Sequence, residues 1–254
     1  MKVALLQQDI VWADPEANRR RLQQLLDTLP EDVDLCVFPE MFSTGFATAP
    51  AGIAEKSPSQ TLEWMKAEAA KRGFALAGSI AVEEDGKFYN RFHFVTPDGV
   101  ITYNKRHLFT FGGEDKTFTA GDDRVVVEWR GVRFLLLVCY DLRFPVWIRS
   151  RKDYDAVICV ANWPDVRRYA WDALARARAI ENQCFMLAVN RCGDDPSCHY
   201  DGGTALLDPY GKVVASSADS KEEFTVAELD MNCLEGFRKV FPVLSDADSF
   251  EIQL

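Results

Sequence analysis

The longest apolar run in the chain, residues 132–139, is strand-sized and falls far short of the ~18 residues that a membrane-spanning helix needs. Shorter runs of the same kind recur at residues 3–6, 35–38, 156–160 and 185–190. Strands this apolar need cover on both faces, which places them inside a layered structure. Helical patterns lie between them. Asp14-Pro15 supplies an N-cap and a first-turn proline for a helix reaching about Leu29. Ser57-Pro58-Ser59-Gln60 has the capping-box layout with proline in the first turn, and its helix stops near Gly73.

The middle of the chain is β-rich. Residues 74–82, 87–96 and 100–104 are joined by Asp85-Gly86 and Pro97-Asp98-Gly99, both good hairpin signals. A glycine-containing polar loop spans 106–123, and strands at 125–129 and 132–138 flank Gly131. A helix at about 146–152, a strand at 156–160, a helix at 169–183 and a strand at 185–190 restore the α/β alternation. Strands at 204–208, 212–216 and 224–228 and a short helix close the chain. Two mixed sheets packed face to face, with helices outside, satisfy this order. The expected class is therefore α/β, and with no Pro/Gly/Ser-rich linker a single domain over 1–254 is expected.

Charge limits the partners. The formal net charge of -10 repels phosphate-rich surfaces, so neither nucleic acid nor an anionic membrane is expected to bind. The first residues turn polar after Leu6, without a secretory apolar region, and the seven cysteines are odd in number and irregularly spaced. Reduced thiols in the cytoplasm are the expectation.

Cys139 is the cysteine with a favourable position. It follows an apolar strand and precedes a helix, at the strand end where α/β sites form. The N–H groups and dipole of that helix predict a thiolate held below its free pKa of ~8.5. Read alone, Cys139 is equally a small buried hydrophobe. Cys36, Cys159 and Cys184 lie in or beside apolar strands and read as core. The chain has three histidines, His93, His107 and His199; His107 is the most interesting, yet none can be assigned as a base. Glu40 stands at another strand end and could serve, though an isolated glutamate is as readily a solvated loop acid. Lys105 ends the strand at 100–104 and could hold an oxyanion, and Glu114 could be a second pocket carboxylate. Cys192, Cys198 and His199 match no standard metal-site spacing.

In order along the chain, Pro39-Glu40-Met41-Phe42, Lys105-Arg106-His107-Leu108-Phe109 and Cys139-Tyr140-Asp141-Leu142-Arg143-Phe144-Pro145 resemble the nitrilase (carbon–nitrogen hydrolase) superfamily. The resemblance covers essentially the whole chain, through Ala161-Asn162-Trp163-Pro164 and the stretch from Arg176 to Asn182. It implies a four-layer α-β-β-α sandwich, a homodimer formed through helices next to the nucleophile, and a Glu–Lys–Cys triad of Glu40, Lys105 and Cys139. Glu114 corresponds to the family's second glutamate. The Tyr140-Asp141 pair departs from the Trp-Glu of nitrilases proper, and the motif is most similar to bacterial omega-amidases, which hydrolyse 2-oxoglutaramate or 2-oxosuccinamate. Deaminated-glutathione amidase is the runner-up. By the same resemblance the backbone of Tyr140 helps hold the oxyanion, Arg176 contacts the substrate carboxylate, and no metal or organic cofactor is required. Two other classes stay in view: a thiol redox protein and a non-catalytic binding protein on the same fold.

Overall fold

Residues 1–252 are described by the structure, a computed structural model. The chain opens with β1 (Lys2–Gln7), α1 (Pro15–Leu26), β2 (Leu35–Val37), the two-residue β3 (Glu55–Lys56) and α2 (Gln60–Arg72). The antiparallel strands β4 (Ala75–Glu84), β5 (Lys87–Thr96) and β6 (Gly99–Asn104) follow. After a long loop come β7 (Val126–Trp129), β8 (Val132–Val138), the single turn α3 (Pro145–Ile148), β9 (Ala156–Ala161), α4 (Arg168–Asn182) and β10 (Phe185–Asn190). A small hairpin of β11 (Cys192–Asp194) and β12 (His199–Asp201), then β13 (Ala205–Leu207), β14 (Val213–Ser216), β15 (Glu223–Glu228) and α5 (Met231–Val240) complete the fold.

The strands form two large mixed sheets. The first runs β15-β1-β2-β4-β5-β6, with β3 beside β4, and the second runs β14-β13-β10-β9-β8-β7. The two-residue period of a strand divides its side chains between layers. Val3, Leu5 and Val37 face the second sheet, while Ala4, Leu6 and Cys36 face Leu22 and Leu26 of α1 and Met65 and Ala69 of α2. Between the sheets Phe94 meets Phe134 at 6.0 Å. On the far side Trp171, Ala175 and Ala179 of α4 join the same core as the second sheet. The result is α-β-β-α, with the inter-sheet core continuous across both sheets.

Three local expectations shift. Ser59, not Ser57, caps α2, accepting from Leu62 N at 3.0 Å, so Pro58 precedes the cap and Leu62 stands where a capping box needs a carboxylate. The helix expected at 146–152 is one turn, because tertiary partners take the groups that its continuation would use: Tyr154 OH donates to Ile148 O at 2.6 Å and Ser150 N donates to Asn182 Oδ1 at 2.9 Å. The segment around Cys192 and His199, to which the sequence assigned no strand, is the β11–β12 hairpin. No helix among the described residues is long and apolar enough to cross a membrane.

Candidate active site

Four strands of parallel sense end on one rim. β2 is followed by Phe38, Pro39 and Glu40; Lys105 directly follows β6, Cys139 follows β8 and Asn162 follows β9. Glu40, Lys105 and Glu114 are fully buried there. Lys105 Nζ lies 2.9 Å from Glu40 Oε1 and 3.1 and 2.8 Å from the two Glu114 carboxylate oxygens. Asn90 Nδ2 donates to Glu40 Oε1 at 2.7 Å and to Glu114 Oε1 at 3.0 Å. Phe109 N donates to Glu114 Oε2 at 2.6 Å, and Asn162 N donates to Glu40 Oε2 at 2.8 Å. Every partner of the two carboxylates is a donor.

Cys139 sits in the left-handed region at φ 47°, a conformation that costs a non-glycine residue of order 1–3 kcal/mol and persists only where the surroundings hold it. Asp141 does the holding. Its Oδ2 accepts from Val138 N at 2.9 Å and from Tyr103 OH at 2.8 Å, while its Oδ1 accepts from His107 N at 2.9 Å. Arg178 adds two bonds to Leu142 O, at 3.0 and 2.8 Å. His107 is committed to this frame, with Nδ1 2.8 Å from Asp141 Oδ1 and its ring stacked 3.7 Å from that of Phe144. Its role is structural, and the carboxylates occupy the place a histidine base would take.

The electrostatics correct one expectation. Burial and the Glu40 charge push the Cys139 thiol well above its ordinary value, against the downward pull of Lys105. The turn after Cys139 is 3-10 and α3 has only four residues, too short a dipole to outweigh two carboxylates. Cys139 therefore rests as a thiol, 3.9 Å from Asn162 O. Burial and Glu40 also raise Glu114, while Lys105 and the Phe109 amide pull it down. Lys105 is held charged by Glu114 and Glu40 despite its desolvation.

Above this cluster lies a cavity of about 260 Å³ lined by Cys139, Tyr140, Phe46, Phe109 and Trp163 among others. Cys139 and Asn162 reach it; the two glutamates and Lys105 lie behind them. Arg143 and Arg167 also line it, stacked over Trp163 at 4.8 Å and over Phe109 at 5.4 Å. Neither forms an ion pair among the described residues, whereas most of the chain's other arginines do.

The structure thus gathers Glu40, Lys105, Glu114 and Cys139, and puts Tyr140 on the cavity wall. Arg176 is not brought there. Its Nη1 donates to Gly211 O, and it borders a separate depression with Trp171 and Thr204. The inward stripe of α4 is Trp171, Ala175, Arg178, Ala179 and Asn182, so Arg178 faces the turn that carries Cys139 and Arg176 points away from it. Sequence reasoning missed Asn90, Arg143, Arg167 and the use of Asn162. A signal existed for Asn90, a residue type disfavoured in the strand interior where it stands. Among the described residues no group of three or more His, Cys, Asp or Glu could hold a metal ion, and Cys192 is buried with its thiol pushed up to about 12.

Known proteins resemble this chain along its whole length. Omega-amidase YafV of Escherichia coli (strain K12) is 42% identical over 254 residues, covering 99% of this chain and 98% of that protein. The 2-oxoglutaramate amidase of Bacillus subtilis (strain 168) is 33% identical, covering 96% of each chain. Among solved structures, XC1258 of Xanthomonas campestris, a CN-hydrolase superfamily protein with an arsenic adduct in its active site, superposes with a TM-score of 0.97 at 39% identity. That alignment covers 100% of this chain and 99% of XC1258. Residues 2–239 match the carbon-nitrogen hydrolase family, and the chain belongs to it.

Proposed function

We propose that this hydrolase is an omega-amidase that removes the terminal amide of small 2-oxo acid amides, such as 2-oxoglutaramate and 2-oxosuccinamate, as 2-oxo diacid and ammonia. One observation carries the reading. Cys139 opens, above the Glu40–Lys105–Glu114 cluster, into a small cavity whose two arginines have no acidic partner among the described residues. At about 260 Å³ the cavity is below the ~300–1,000 Å³ usual for drug-sized ligands, which suits a five-carbon substrate better than a tripeptide analogue. The omega-amidase and 2-oxoglutaramate amidase relatives support the same substrate class.

In the proposed mechanism Glu40 takes the Cys139 proton as sulfur attacks the amide carbon. A raised thiol suits this step, because the charged nucleophile forms only when substrate is present to receive it. The oxyanion is held by the Tyr140 N–H and by Lys105, whose longest contact, 3.1 Å to Glu114 Oε1, is the one most readily exchanged for substrate. Glu40 then returns the proton to the leaving nitrogen, releasing ammonia and a thioester. Water, deprotonated by Glu40, hydrolyses the thioester and restores the thiol. Arg143 and Arg167 receive the substrate's distal carboxylate, the role first given to Arg176. Each step uses protein groups and water, without a metal or organic cofactor. The same reading has the protein act as a cytoplasmic homodimer on small amides rather than on nucleic acid.

The test is ammonia release from 2-oxoglutaramate and from deaminated glutathione by the wild type and Cys139→Ser. Turnover of the first substrate, lost in the variant, is expected. Preference for deaminated glutathione would transfer the assignment to that amidase. Wild-type inactivity on every short ω-amide would remove it altogether.

A further inference from the structure

Among the described residues, Asn90 is the one hydrogen-bonded to all three members of the buried charge cluster. It stands inside β5, fully buried, and its backbone carbonyl accepts from Lys105 N at 2.9 Å. Its Nδ2 gives one hydrogen to Glu40 Oε1 at 2.7 Å and the other to Glu114 Oε1 at 3.0 Å. The opposite amide orientation would set Oδ1 against two carboxylates, so chemistry fixes which end faces them. Asn90 Oδ1 itself has no hydrogen-bond partner among the described residues. All polar contacts of this side chain therefore go to the two carboxylates, and no other part of the fold uses them.

The charge count explains why such a group is there. Two carboxylates and one ammonium leave one net negative charge in a desolvated site, and burial together with the Glu40 charge favours uptake of a proton by Glu114. Lys105 cannot neutralise both. Hydrogen bonds to the ionised forms oppose protonation, and Asn90 is the neutral group that supplies one to each carboxylate. If a proton settled on the pair, Glu40 would lose the capacity to accept one from Cys139.

We propose that Asn90 is a positioning residue that keeps both buried carboxylates ionised around Lys105 and so keeps Glu40 free to take the Cys139 proton, an inference that rests on the acid–base roles proposed above. The test is the pH dependence of two rates in wild type, Asn90→Ser and Asn90→Ala. One is kcat/KM for 2-oxoglutaramate; the other is alkylation of Cys139 by iodoacetamide, which needs no amide turnover. In the alanine variant both acid limbs should move upward by about one pH unit or more, with KM little changed, and serine, which keeps one donor, should fall between. A uniform loss of rate with an unmoved acid limb would overturn the proposal. Infrared titration of the wild type decides it even if neither variant folds. At neutral pH no protonated-carboxyl band should be present that disappears in Glu114→Gln, and finding one refutes the inference. If the wild type releases no ammonia from any ω-amide, the substrate reading fails while the alkylation profiles still decide the role of Asn90.

Discussion

Asn162 donates three hydrogen bonds to Glu40 across the gap between the two sheets: its N to Glu40 Oε2 at 2.8 Å, and its Nδ2 to the Glu40 carbonyl at 2.6 Å and to Oε2 at 3.4 Å. The candidate base is thus oriented by the sheet opposite its own. It stands on the first sheet, and the residue that aims it follows β9 in the second.

Replacing Asn162 with alanine leaves the backbone N–H in place and deletes the side-chain bonds to the buried Glu40 carbonyl and to Oε2. The expected cost is about 1–3 kcal/mol of stability, together with a lower kcat as Glu40 gains freedom. Urea denaturation read beside steady-state kinetics checks both; unchanged kcat in a destabilised protein would deny Asn162 a part in aiming the base.

Glu40→Gln removes the proposed proton acceptor while keeping the side chain's size. A fall in kcat of about 10²–10⁴ is expected, since that is the range general acid–base catalysis contributes. Near-normal turnover would eliminate Glu40 as the base.

Arg143→Ala and Arg167→Ala should raise KM for 2-oxoglutaramate by about tenfold to a hundredfold each, the loss typical of a hydrogen bond to a charged group. A neutral aliphatic amide should be affected far less, and Arg176→Ala should leave both substrates nearly untouched. Equal effects on charged and neutral amides would mean that the arginines shape the cavity rather than bind a carboxylate.

His93 predicts an acid-sensitive fold. It is buried in β5 with Nδ1 unpartnered among the described residues, and burial lowers its value to about 3 from the usual 6.5. The unfolded chain therefore binds a proton that the folded one refuses, and stability falls as pH drops below 6.5 toward 3. Between pH 7 and 5 this one residue should remove about 2 kcal/mol. Denaturant midpoints over that range, compared with those of His93→Gln, isolate the contribution; parallel curves would refute it.

Much of the architecture was legible because local signals and layer logic agree. The apolar strands around Leu35 and Leu136 are covered on both faces, and Asp14 caps α1 as short-range chemistry requires. Glu40, Lys105 and Cys139 could be singled out because each stands at or just beyond a strand end, in a motif of its own. Three things were not legible. The resting state of Cys139 depends on how many charges gather around it, which is a property of the assembled site. The choice between Arg176 and Arg178 rests on a helical rotation that their two-residue spacing leaves open. Asn90 and Asn162 bear on the site through partners 50 and 122 positions away, beyond any local pattern.

Asp141 joins the turn that carries Cys139 to the loop that follows Lys105, through Val138 N on one side and Tyr103 OH and His107 N on the other. A site on an independent loop can fray while its scaffold survives. Here the turn carrying Cys139 and the segment around Lys105 share one buried carboxylate between the sheets, so opening either one breaks hydrogen bonds that hold the other. On heating, catalytic activity and tertiary structure should disappear in a single transition, with no inactive but folded species between them.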